Sequence, residues 1–294
     1  MKIAGALYLR ENCGSYQIFK EHNMRIGNKE FQTTGNDKKT YVMGILNVTP
    51  DSFSDGGNYT SIDAAVKRAE QMLLEGADII DIGGESTRSG YTIISDEEEI
   101  ARTAPVIEKL KAQFDVPVSI DTYKGDVAEA ALQAGADLVN DIWGLKHDDK
   151  IARVIQKHKA ACCLMHNREH TGYQDFLPDV KADLEQSLKI ATAAGIQKER
   201  IMLDPGVGFA KSYEQNLLAI KNMGYFNRLG YPMLLGTSRK SVIGLTLDVP
   251  AGERVIGTAV TTVLAAQAGY SFVRVHDVKE NVQALKMLAA IVNA

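Results

Sequence analysis

From Tyr41 onward, short apolar runs rich in β-branched residues alternate with longer segments of helical period. The alternation occurs eight times. The apolar runs are 41–47, 77–82, 117–121, 136–140, 160–165, 201–204, 232–236 and 272–276. The helical segments cover 61–75, 96–113, 125–134, 148–158, 179–194, 213–223, 252–268 and 278–292. Strands separated by whole helices pair in parallel, because only a crossover connection can return the chain to the same edge direction. Near-continuous apolar strands imply burial on both faces. Eight such units in about 250 residues predict an α/β fold, a closed (β/α)8 TIM barrel. An open doubly wound sheet is the alternative, but no Gly-x-Gly-x-x-Gly turn follows any strand.

Helix punctuation agrees with this rhythm. Gly76, Gly135 and Gly195 each follow a helical segment, where a left-handed cap is favoured. Ser95 followed by Glu98 predicts a capping box. Ahead of the barrel, residues 1–40 read as an N-terminal extension. There, Gly27-Asn28 and Gly35-Asn36-Asp37 are turn signals around Glu30–Thr34, which predicts a short β-hairpin. Residues 41–294 read as a single barrel domain.

Composition narrows the class. Of 294 residues, 45% are apolar, enough for a large core, and the net charge of −4 argues against a nucleic-acid surface or a membrane patch. No apolar stretch approaches the roughly 18 residues of a membrane helix. Cys13, Cys162 and Cys163 cannot form a disulfide framework, and the adjacent pair reads as packed strand residues. A cytoplasmic enzyme is expected.

The chemistry gathers at the strand ends. After the first apolar run, polarity flips at Asn47, and the stretch to Gly57 holds hydroxyls, carboxylates, a proline and a glycine pair. No core needs that composition, so it reads as a polar lid beside a ligand. In a barrel, all C-terminal strand ends share one mouth. Here they carry Asn47, Asp81 with Glu85, Asp121, Asn140 with Asp141, Met165 with His166, Asp204, Gly236 with Lys240, and Arg274 with His276. Polar and charged groups at the ends of eight buried strands need compensation, which a polar ligand site explains most simply. Asp121, Asn140 and Asp204 offer acceptors and an amide to a heterocycle presenting several N–H groups. Ser238-Arg239-Lys240-Ser241 and Arg274-Val275-His276 lie at strands seven and eight, the phosphate corner of a barrel, and Arg88 is placed to swing in from a second loop.

Plainer readings compete at single positions. Lys240 is expected inward and Arg239 structural. His166 and His170 have i, i+4 spacing, but Asn167-Arg168 and the missing Glu-x-x pattern disfavour zinc. Met165 fits a pocket wall or core. Asp81 serves equally as a turn holder, and Trp143 equally as core or pocket wall.

In family order, the motifs resemble those of the dihydropteroate synthases. They are Asn47–Gly57, Asp-Ile-Gly-Gly-Glu-Ser-Thr-Arg at 81–88, Ser-Ile-Asp-Thr-Tyr-Lys at 119–124, Asn140-Asp141-Ile142 and Leu-Met-His-Asn-Arg at 164–168. They continue with Asp-Pro-Gly-Val-Gly-Phe-Ala-Lys at 204–211, Gly-Thr-Ser-Arg-Lys-Ser at 236–241 and Arg-Val-His-Asp-Val at 274–278. Ser89 stands where the family often has proline. The resemblance implies condensation of 6-hydroxymethyl-7,8-dihydropterin pyrophosphate with p-aminobenzoate, assisted by Mg²⁺, in a usually homodimeric sulfonamide target. It assigns Asp121, Asn140, Met165, Asp204 and Lys240 to the pterin. Asn47, Arg88, Arg274 and His276 fall to the pyrophosphate, with Asn47 as the Mg²⁺ contact. Thr87, Ser89, Phe209, Lys240 and Ser241 fall to p-aminobenzoate. Asp121, Asp204, Lys240, Arg274 and His276 form its catalytic set.

The residues fit that chemistry. An arylamine is neutral at pH 7 and already nucleophilic, so the lack of a Ser-His-Asp or Cys-His set is no obstacle. The hard step is C–O cleavage, eased by cations at the leaving group. Two rivals share the pocket: a pterin-dependent methyltransferase, which has no use for the cations, and a non-catalytic pterin carrier. A Schiff-base aldolase is weaker, because Lys240 lies past the strand tip.

Overall fold

The computed structural model describes residues 23–35, 38–49, 58–85 and 93–294. Cys13, Asn36-Asp37, the lid from Pro50 to Gly57, and Thr87, Arg88 and Ser89 of the second loop lie outside the described residues.

A two-residue turn at Gly27-Asn28 joins β1 (Met24–Ile26) to β2 (Lys29–Phe31) as an antiparallel hairpin. The barrel strands follow: β3 (Tyr41–Asn47), β4 (Ile79–Gly83), β5 (Val118–Asp121), β6 (Leu138–Asp141), β7 (Ala161–Met165), β8 (Ile201–Asp204), β9 (Leu234–Leu235) and β10 (Phe272–Val275). They pair in parallel in the order β8-β7-β6-β5-β4-β3-β10-β9. The bridge Leu203↔Met233, with Leu203 N–H donating to Pro232 O at 2.9 Å, joins the two ends and closes the barrel. The fold is the expected (β/α)8 TIM barrel.

The outer helices are α1 (Asn58–Glu75), α2 (Asp96–Gln113), α3 (Gly125–Gln133), α4 (Ile151–His158), α5 (Phe176–Ala193), α6 (Tyr213–Lys221), α7 (Met223–Phe226), α8 (Ser241–Leu247), α9 (Val255–Gln267) and α10 (Val278–Val292). None among the described residues is long and apolar enough to cross a membrane. Several features depart from the sequence reading. Helices α7 and α8 are additional, and the strand expected at 232–236 is reduced to Leu234–Leu235. Ser95 caps α2 through Glu98 N–H at 3.2 Å, but the Glu98 carboxylate turns to Arg102 instead of completing a box. The reciprocal box forms at Ser212 and Gln215 of α6.

Period-two alternation sorts the strand residues into two cores. Outward Val42, Ile80, Ile82, Val118, Ile120, Val139, Cys162, Leu164, Leu203 and Val273 pack against the helices. Inward Tyr41, Met43, Ile79, Leu138, Ala161, Cys163, Met202, Leu234 and Phe272 fill the lower barrel. The hairpin supplies Met24, Ile26 and Phe31 to this second cluster. Phe31 stands edge-on to Tyr41 (4.7 Å between centroids), and both rings meet Phe272 at 5.6 Å. The hairpin is therefore a floor to the barrel, part of its core. Cys162 and Cys163 are buried and free.

Candidate active site

One inward position above the apolar floor, the side chains turn polar. Asp81 follows Ile79, Asn140 follows Leu138, Asp204 follows Met202 and Arg274 follows Phe272. Register places Asp121 beside Asn140 and Met165 beside Asp204. These groups converge because the closed sheet forces every inward row toward one axis.

Arg274 is the hub. Its Nε donates to Asp81 Oδ2 at 2.6 Å and its Nη2 to Asp121 Oδ2 at 2.5 Å. Burial would lower the guanidinium pKa, but Asp81 and Asp121 outweigh it and hold the charge firmly. Burial pushes the Asp121 carboxyl up to about 7, against the pull of Arg274. Asn140 Nδ2 reaches Asp121 Oδ1 at 3.4 Å. Asp81 is fully buried, and its Oδ1 has no hydrogen-bond partner among the described residues.

Across the mouth, Asp204 Oδ1 accepts from Gly206 N–H at 2.7 Å, and burial raises this carboxyl too, opposed by Lys240. A Cβ on Gly236 would lie 3.3 Å from Asp204 Oδ2 and 3.8 Å from Lys240 Nζ, so glycine leaves the gap between acid and amine open. Lys240 Nζ donates to Val207 O and lies 4.6 Å from the Phe209 ring centroid. Burial lowers the Lys240 pKa to about 8, with Asp204 opposing. Arg239 points elsewhere: at φ 58° it grips Asp277 with two donors, Nε at 2.9 Å. Ser241, the exposed first residue of α8, follows at the rim.

His276 sits just past β10. Its backbone N–H donates to Ser238 Oγ at 3.0 Å, and Nδ1 meets the same oxygen at 3.0 Å. The Ser238 hydroxyl thus holds both the backbone and the ring of His276. Asn47 ends β3 with Oδ1 3.4 Å from where a Gly83 Cβ would lie. One side of the mouth is apolar: Tyr123, Ile142 and Met165 are buried, with Trp143 and Phe209 packed on them.

The deciding comparison is with proteins of known family. The family model described as pterin binding enzyme matches residues 43–276. Dihydropteroate synthase of Clostridium beijerinckii is 56% identical over 270 residues, covering 92% of this chain and 99% of its own. That of Bacillus subtilis is 53% identical over 256 residues, covering 87% and 90%. The chain belongs to the pterin-binding enzymes, among the dihydropteroate synthases. A Clostridium difficile dihydropteroate synthase structure, determined in the presence of pteroic acid, superposes with TM-score 0.84 at 51% identity over 87% of this chain and 99% of its own. A Xanthomonas albilineans dihydropteroate synthase with 4-aminobenzoic acid gives 0.87 at 39% identity over 93% and 99%.

In this pterin-binding enzyme, three groups take roles that the sequence reading did not assign. Asp81, read as a strand-tip residue or turn holder, is a partner of Arg274. Lys124 Nζ donates to Glu85 Oε2 (3.0 Å), Glu99 Oε2 (2.8 Å) and Ile94 O (2.8 Å), and Ile94 N–H returns to Glu85 at 2.9 Å. This buried network joins Glu85 and Ile94 to α2 and to the start of α3. His166 lies between Asp183 at 2.9 Å and Lys211 at 2.8 Å.

Proposed function

We propose that the chain joins 6-hydroxymethyl-7,8-dihydropterin pyrophosphate to p-aminobenzoate, giving 7,8-dihydropteroate and pyrophosphate. This is transfer of an alkyl group other than methyl. The observation that carries the reading is the convergence of Asp121, Asn140 and Asp204 with Lys240 and Arg274 at one barrel mouth. Asp121, Asn140, Asp204 and Lys240 hold the pterin ring, with Met165 as its wall. The carboxylates accept the ring N–H groups in charge-assisted bonds.

His276 and Arg274 face the pyrophosphate, joined by Arg88. Arg274 uses two of its five donors on Asp81 and Asp121, leaving others for a phosphate oxygen. Phe209, Lys240 and Ser241 take the arylamine, with Thr87 and Ser89 closing over it. Lys240 then serves both substrates: its ammonium pairs with the benzoate, and its methylene stem lies along the pterin.

Asn47 suits a Mg²⁺ that arrives with the pyrophosphate, since this ion is commonly held by few protein oxygens plus substrate phosphates. When bound, it would neutralise charge on the leaving group. The substitution is dissociative. The C–O bond to pyrophosphate breaks and its electron pair leaves with oxygen. Positive charge spreads over the pterin ring beside Asp121 and Asp204. The amine lone pair then forms the C–N bond, and the nitrogen releases a proton. The two loops complete the arylamine site over bound pterin pyrophosphate, so the pterin binds first. Pyrophosphate release on mixing both substrates, with and without Mg²⁺, tests the reading. Binding of pterin without release would instead support a carrier.

The reaction belongs in the cytoplasm, a reading supported by the free buried thiols of Cys162 and Cys163. The chain acts as a homodimer through α9 and α10. Helix α9 packs its threonines inward, Thr262 donating to Asn281 of α10 at 2.7 Å, while Ile256, Val260 and Leu264 face outward, Ile256 at 73% exposure. Met287, Ile291 and Val292 of the neighbouring α10 are also exposed. Such a face is covered by a second copy. Ile256→Glu should convert a dimer to monomers in sedimentation; a wild type that already sediments as a monomer would refute this.

A further inference from the structure

The segment Pro205–Lys211 after β8 is held in an unusual backbone path. Gly206, Gly208 and Ala210 take φ of 69°, 89° and 46°. A Cβ on Gly206 would sit 2.0 Å from His166 O, so the segment presses against the tip of β7. Alanine at positive φ is strained and persists only where its surroundings hold it.

The holding groups are side chains beneath the segment. Lys211 Nζ donates to Gly206 O at 2.8 Å, Phe209 O at 3.0 Å and His166 Nδ1 at 2.8 Å. Those three bonds use all the donors of an ammonium. His166 accepts at Nδ1, so its proton lies on Nε2 and goes to Asp183 Oδ2 at 2.9 Å, which also receives Arg168 Nε at 2.5 Å. Burial lowers the His166 pKa to about 4, in keeping with a neutral acceptor ring. From above, Lys240 binds Val207 O, and Tyr173 OH donates to Ala210 O at 2.9 Å. The carbonyls flanking the Phe209 ring are thus fixed from below by Lys211, and the ring itself is fixed against Lys240.

We propose that Lys211, fixed in place by His166, is a positioning residue that sets the Phe209 wall of the arylamine pocket. Lys211 takes no part in the chemistry, since its ammonium is committed to Gly206 O, Phe209 O and His166 Nδ1. Its effect therefore falls chiefly on arylamine affinity and less on the pterin pocket, which the segment touches through Gly206 N–H on Asp204 Oδ1 and through Val207 O on Lys240. The Asp204 backbone is fixed independently by the pairing of β8 with β7. The inference rests on the assignment of Phe209 to the arylamine site.

Steady-state kinetics of the full chain, with calorimetry of a pterin lacking pyrophosphate, test it. Lys211→Met should raise the KM for p-aminobenzoate about tenfold, with kcat within about threefold and pterin affinity within about twofold of wild type. Lys211→Arg should behave alike, because a planar fork cannot serve three converging acceptors, and it carries the test if the methionine variant fails to fold. His166→Asn, whose amide oxygen replaces Nδ1 as acceptor, should restore most of the arylamine affinity that His166→Phe loses. An unchanged KM in both Lys211 variants, or an equal loss of pterin affinity, overturns the inference. A wild type that releases no pyrophosphate from the two substrates would instead defeat the functional reading beneath it.

Discussion

The two ends of the barrel are built from the same strands, one inward residue apart, and are chemical opposites. At the lower end, Ile79, Leu138, Met202 and Phe272 meet the hairpin residues Met24, Ile26 and Phe31 in a dry cluster. At the upper end, Asp81, Asn140, Asp204 and Arg274 converge, with Tyr123, Ile142 and Met165 as an apolar wall on one side. The lower end gains stability by removing apolar surface from water. The upper end keeps three carboxylates near one guanidinium and one ammonium, an arrangement that favours a ligand more than the empty fold. Folding and function are thus divided along the strand axis.

Substitutions should separate the two ends. The largest effect is expected at the floor. Phe272→Ala should destabilise the fold by about 3–5 kcal/mol in urea denaturation, while folded molecules keep the wild-type kcat. A matching loss of kcat would erase the division. At the mouth, Asp204→Asn should weaken pterin binding by about 2–3 kcal/mol in calorimetry, the scale of a lost charge-assisted bond. Its unfolding midpoint should stay level or rise, since removing an acid from an acidic mouth relieves repulsion. Unchanged pterin affinity would remove Asp204 from the site. The smallest effect concerns Lys240, whose pKa burial lowers to about 8. Below that pH the ammonium is charged and can pair with a benzoate carboxylate; above it the partner is neutral. The KM for p-aminobenzoate should be flat from pH 7 to about 8 and then climb up to about tenfold per unit. A flat profile to pH 10 would show that Lys240 does not hold the carboxylate.

Much of this was legible in the sequence because strand period and tip chemistry are local. The eight apolar runs gave the barrel, and the motif order gave the family. Other features depend on contacts that no local pattern encodes. The Asp81–Arg274 pair joins residues 193 positions apart, adjacent only once β3, β4 and β10 are neighbours. Helix α8 was hidden because Ser-Val-Ile-Gly-Leu-Thr-Leu has poor helix propensity. Its reason is tertiary: Gly244 lies against the Arg254 guanidinium, where a Cβ would come within 2.2 Å, and Asp248 closes the helix in the left-handed region. The run 232–236 shrank to Leu234–Leu235 because Pro232 has no N–H for the ladder. Lys211 stands in the sequence only as the last residue of the 204–211 motif; its bonds back to Gly206 O and Phe209 O appear only with the fold of Pro205–Lys211.

The aromatic floor has one more consequence. A barrel sealed at the bottom is a blind well, with a single doorway for arrivals and departures. Asp121, Asn140 and Asp204 lie at the strand tips, with Phe209 in the loop after β8 and Ser241 at the start of α8. On the roles proposed for these residues, traffic in such a well is a stack: the bicyclic ring descends before the arylamine settles over it. The joined product then withdraws aryl end first, once pyrophosphate has cleared the threshold.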